Sequence, residues 1–104
     1  MRILLEQEHE DLLSTFVEAY RNVSRDQRHP FSVQRSDETS FANVHHPGLP
    51  VSGISAYEGD LETLAHKGLF RPSAYGLTGE FHSFDLTPEA FECYREIKQR
   101  VINH

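Results

Sequence analysis

Leu12, Leu13, Phe16, Val17, Tyr20 and Val23 recur at spacings of three and four, a rhythm that predicts an amphipathic helix from Glu6 to Val23. Glu6, Glu8, Glu10 and Asp11 crowd its first turns, and Arg21 and Arg25 sit at or just past its other end. Both placements suit the helix dipole. Pro30 bars any helical continuation beyond the polar stretch that starts at Ser24. Phe31 to Ser36 and Ser40 to His46 then roughly alternate apolar and polar residues and predict a β-hairpin around Asp37-Glu38-Thr39. His46 to Pro50 sets two prolines around a glycine and reads as a loop.

A second helix is predicted from Ser55 to Lys67. Ser55 and Glu58 have the spacing of a capping box, and Tyr57, Leu61, Leu64 and Ala65 form its apolar face. Gly59 weakens this helix by roughly 1 kcal/mol relative to alanine, so a start as late as Glu58 fits equally. Gly68 supplies the left-handed stop, and Leu69 is placed to pack back on Leu64. Leu69 to Arg71 and Glu80 to Leu86 read as two strands joined by a long turn, Pro72 to Gly79. In the second strand Phe84 and Leu86 are expected inside, with Phe81, Ser83 and Asp85 pointing the other way. Thr87 as N-cap and Pro88 in the first turn open a last helix, with Ala90, Tyr94, Ile97 and Val101 on one face and Phe91 and Cys93 beside it.

DLETLAHKGLF, a glycine-containing turn and FDLTPEAFECYREI, within about Ser55 to Val101, resemble the closing part of winged-helix domains. In that family a helix ending in Gly-Leu is followed by a two-stranded wing and then by a Leu-Thr-Pro helix start. The resemblance implies an α+β, winged-helix-like fold with three main helices, a C-terminal β-hairpin wing and an additional hairpin near residues 31–46. It also implies a recognition helix at Ser55 to Lys67 and a wing tip at Pro72 to Gly79. The family's pattern has a further short helix where this chain, over Asp37 to Val51, reads as strand and Pro-Gly loop.

Composition narrows the function classes. A length of 104 residues is that of a single domain, residues 1–104. The net charge of −6 repels phosphate backbones and anionic membranes. One cysteine, Cys93, excludes an intrachain disulfide framework and points to a reducing, cytoplasmic setting. The opening MRILLEQEHE carries too short an apolar run for a signal peptide or a membrane span.

Candidate chemistry is sparse. His9, His29, His66, His82 and His104 are scattered, and the adjacent His45 and His46 face opposite sides of a strand, so no metal site is expected. No nucleophile elbow, P-loop or dinucleotide fingerprint occurs, Cys93 reads as a core residue, and neither a cofactor nor enzymatic activity is expected. DNA binding, the alternative that the resemblance implies, is disfavoured by Glu58, Asp60 and Glu62 on the second helix.

The favoured expectation is a non-catalytic, regulatory interaction module that binds a protein partner or pairs with itself. Tyr75 and Phe81 at the wing, with Arg71 beside them, are the candidate partner-binding residues. Arg21, Arg25, Arg28 and Arg35 form a candidate patch for an anionic partner. The wide stripe of the first helix is the candidate dimer element.

Overall fold

The computed structural model describes residues 5–36 and 38–102; Met1 to Leu4, Asp37, Asn103 and His104 fall outside the described residues, as do the side chains of Val101 and Ile102. Helix α1 (Gln7–Arg21) leads into strands β1 (Phe31–Arg35), β2 (Phe41–His45) and β3 (Ile54–Tyr57). Helix α2 (Glu58–His66), strands β4 (Phe70–Tyr75) and β5 (Phe81–Leu86), and helix α3 (Pro88–Ile102) follow. The strands form one antiparallel sheet in the order β3-β2-β1-β5-β4. Its edges, β3 and β4, therefore run in the same direction, and α2 is the crossover between them. Nine residues of helix span about 14 Å. The sheet is roughly 19 Å wide, so α2 crosses most of it.

Alternation decides which side of the sheet is covered. Phe31, Val33, Ala42, Val44, Ala56, Phe84 and Leu86 are buried and join Leu13, Phe16, Val17, Leu61, Leu64 and Ile97 of the helices in one cluster. The helices thus share one face. On the other, Ser32, Gln34, Phe41, Ser55, Tyr57 and Ser73 are exposed. The core is aromatic: Phe84 stacks on Phe31 and on Phe70, at 5.1 and 4.2 Å, and Phe16 of α1 sits against all three rings. Stacked and edge-on pairs at such distances add roughly 0.5–1.5 kcal/mol each beyond area burial.

Local punctuation is where the sequence placed it. Gly68 has φ +79°. Its N–H donates to Ala65 O, and Leu69 N–H reaches back to Leu64 O, which completes a Schellman end. Thr87 Oγ1 accepts from Ala90 N–H and donates to Gly68 and Leu69 carbonyls, so one hydroxyl starts α3 and ties it to the end of α2. Gly48 is required by close approach: a Cβ there would lie 2.0 Å from Ala19 O, because the Pro-Gly loop presses on the α1 backbone.

The winged-helix expectation fails. A five-stranded antiparallel sheet with β1 at its centre replaces the small winged sheet, and Glu38 to Val51 supplies strand and loop where that family needs a helix. The second helix begins at Glu58, the later of the two starts the sequence allows. Ile54 to Tyr57 instead pairs with β2 along its whole length. Glu58 does not cap Ser55; its carboxylate lies 3.4 Å from Arg35, and its N–H donates to Ser40 O. Pairing with β2 satisfies the N–H and C=O of both Ile54 and Ala56, four backbone groups against the two amides a capping box covers.

Candidate functional site

The two edges of the sheet differ in what they offer to another chain. On β3, the Glu58 N–H bond to Ser40 O sets the phase of the antiparallel ladder. Hydrogen-bonded pairs alternate with open ones, so Ala56 and Ile54 bond inward to β2. Ser55 then turns its N–H and C=O outward and Tyr57 its N–H, while the Tyr57 carbonyl, at the N-cap of α2, accepts the first helical bond. The same phase makes Phe41 opposite Tyr57 a non-hydrogen-bonded pair, whose side chains come closest. Their rings stack at 4.2 Å, yet Phe41 is 42% and Tyr57 52% exposed.

Below this aromatic pair the edge opens into a groove of about 430 Å³ between β3 and α1. Half-buried Leu12 and Ile54 and buried Ala56 give it an apolar floor. Glu8, Asp11 and Asp60 stand around it, and among the described residues no lysine or arginine lines it. Asp60 Oδ1 lies 3.0 Å from His9 Nε2, which donates to it; the buried Nδ1 has no hydrogen-bond partner among the described residues.

The β4 edge is guarded. Thr87 N–H donates to Leu69 O, and continuing that alternation turns Arg71 and Ser73 inward and Pro72 outward. Pro72 has no N–H to offer there. Two residues on, Ala74 has φ +55°, the one non-glycine with positive φ among the described residues. The ladder resumes at Tyr75 opposite Phe81, with both side chains turned toward α2, beside Glu62, Ala65 and His66.

That turn relocates the sequence candidates. Phe81, expected to point away from Phe84, is 5% exposed and packs edge-on to it at 6.2 Å. Tyr75 is 63% exposed at the far end of β4, and Arg71, also exposed, stands 4.0 Å from Asp85. The four arginines do not form one patch. Arg21 lies over the Tyr94 ring, Arg28 over Tyr20, and Arg25 is exposed in a short 3-10 turn (Arg25–Gln27). Arg35 sits about 13 Å further along β1 from Phe31. There it donates from Nε and Nη2 to Phe81 O and covers the Phe81 ring. The α1 stripe is consumed internally: Leu13, Phe16 and Val17 are fully buried, and Tyr20 packs on Phe91.

The remaining reactive groups are held by the fold. His46 accepts from Gly48 N–H at Nδ1, donates from Nε2 to His29 O, and stacks on Phe31 at 4.2 Å. Burial holds its pKa below the usual 6.5. Burial also pushes the Cys93 thiol up, away from the thiolate a nucleophile needs. Tyr94 donates to Glu18, whose carboxyl that bond holds below its ordinary range. Among the described residues no group of His, Cys, Asp and Glu is arranged to hold a metal ion, and no helix is long and apolar enough to cross a membrane.

Phe41 and Tyr57 are not among the candidate site residues the sequence singles out. The signal is present for Phe41: with Ala42 and Val44 inside, alternation leaves Phe41 facing solvent. Compared with protein-family models, curated proteins and solved structures, the chain matches none.

Proposed function

We propose that this chain is a non-catalytic interaction module, regulatory in role, that captures a protein partner by adding a strand to the β3 edge. The observation that carries this reading is the unguarded edge itself. Ser55 and Tyr57 present outward backbone groups beside an exposed, stacked Phe41–Tyr57 pair, while β4 is closed by Pro72 and Ala74. Strand addition draws affinity from such main-chain groups and specificity from flanking side chains. The DNA-binding alternative drew on the winged-helix resemblance and is not carried forward. A cytoplasmic setting suits the lone, buried Cys93.

The reading is tested with a photo-crosslinking amino acid placed at position 55 or, as control, at position 73, in cells that express the chain. Adducts with another protein from position 55 alone, lost with Tyr57→Ser, are expected. Equal adducts from both positions, or none from position 55, contradict it.

A further inference from the structure

Resting on that reading of β3, we infer that the added strand is a basic, extended segment in which lysine or arginine alternates with apolar residues. The N–H and C=O of Ser55 and the N–H of Tyr57 can bond an incoming strand of about three to five residues. A strand laid there sends alternate side chains to opposite faces. On one face they meet the rings of Phe41 and Tyr57; on the other they meet the groove floored by Leu12 and Ile54. Glu8 and Asp11 rim that groove with no lysine or arginine among its described lining residues, and Asp60, bonded to His9, stands beside them. A strand carrying acids on that side meets like charge at short range, whereas lysines or arginines are long enough to lay their stems on Leu12 and Ile54 and their heads among the carboxylates.

Charge also argues against a second copy as occupant. Two-fold pairing of β3 with β3 draws two such acidic rims toward one seam, on chains that each carry a net charge of −6. Like charges juxtaposed in this way select against a partner, and here they select against self.

The test uses two capped, fluorescein-labelled hexapeptides, Lys-Val-Lys-Val-Lys-Val and Glu-Val-Glu-Val-Glu-Val, titrated with the full chain. Fluorescence anisotropy gives affinity, and amide shifts in the labelled chain give location. Expected are binding of the basic peptide at least about tenfold tighter than the acidic one, weakening with added salt, and shifts centred on Ser55 and Tyr57. The double variant Glu8→Lys, Asp11→Lys, at two exposed positions, should narrow or reverse that preference. Ser55→Pro should remove docking while leaving the circular dichroism of the chain unchanged.

Equal binding of both peptides at β3 overturns the basic partner but leaves the edge reading standing. Shifts centred elsewhere, or no binding by either peptide, overturn both. A mass above one chain in light scattering that Ser55→Pro returns to one chain overturns the basic partner in favour of self-pairing.

Discussion

The outer strands of this sheet are equivalent in topology and opposite in chemistry. Each has one side with no strand on it among the described residues, each is joined to α2, and each carries an exposed tyrosine. β4 is protected by devices proteins use against unwanted pairing: an arginine at Arg71, a proline with no N–H to offer, and a local twist at Ala74. β3 reads Ile-Ser-Ala-Tyr, without proline, charge or kink. An unguarded edge in a protein that guards the other one is more informative than either edge alone. In the interaction module proposed above, it is the side where pairing is used.

The largest effect available ignores the distinction. Phe16 touches Phe31, Phe70 and Phe84 and so underpins both halves of the sheet. Phe16→Ala should cost about 3–5 kcal/mol in urea unfolding and loosen both edges together. A loss under about 1 kcal/mol would mean the halves are held independently.

A second change should erase the asymmetry. Pro72→Val restores an outward N–H to β4, and the chain should then form species larger than one copy at concentrations where the parent does not. A Pro72→Val chain whose light-scattering mass matches the parent's would show that proline is not the guard.

Acid should act on one side of the comparison. His46 follows directly on β2 and leads the loop that feeds β3, and burial lowers its pKa. A folded-state value below the unfolded 6.5 means the unfolded chain binds the proton first. The stabilising contribution is therefore present above about pH 6.5 and is lost as pH falls through the lower, folded value. Protonating Nδ1 also removes the acceptor for Gly48 N–H. Amide exchange at pH 5 should accelerate first in 46–54, and His46→Gln should flatten this dependence. Uniform acceleration across β3 and β4 would contradict the assignment.

The smallest expected effect lies on the crossover that joins the edges. Gly59 is helical, and a Cβ added there would meet no heavy atom within 4 Å. Gly59→Ala should raise stability by about 0.5–1 kcal/mol, seen as a higher Tm, with the β3 edge unchanged.

How much of this was legible follows the same divide. α1, the first hairpin, the Schellman end at Gly68 and the Thr87-Pro88 start were readable because each is encoded within a few residues. The winged-helix resemblance consisted of those same local devices, which many folds reuse, whereas sheet order depends on β1 pairing with β5 about fifty residues away, a distance read from the partners Phe31 and Phe84. β3 was hidden because Ser55 to Glu58 satisfies two local rules, and only the distant β2 decides between them. Phe81 was misplaced because alternation was carried along β5 past His82, the position opposite Ala74, whose positive φ has no signature in an alanine. The docking edge was invisible for the reason that makes it interesting: an edge is defined by what does not pair with it.

Residue-resolved amide exchange on the free chain tests the asymmetry most directly. Ser55 and Tyr57 should exchange like open amides while Ala56 and Glu58, bonded to β2 and Ser40, are protected. Protection of Ser55 and Tyr57, or exchange as fast at Ala56 as at its neighbours, would show that β3 is not the open edge described.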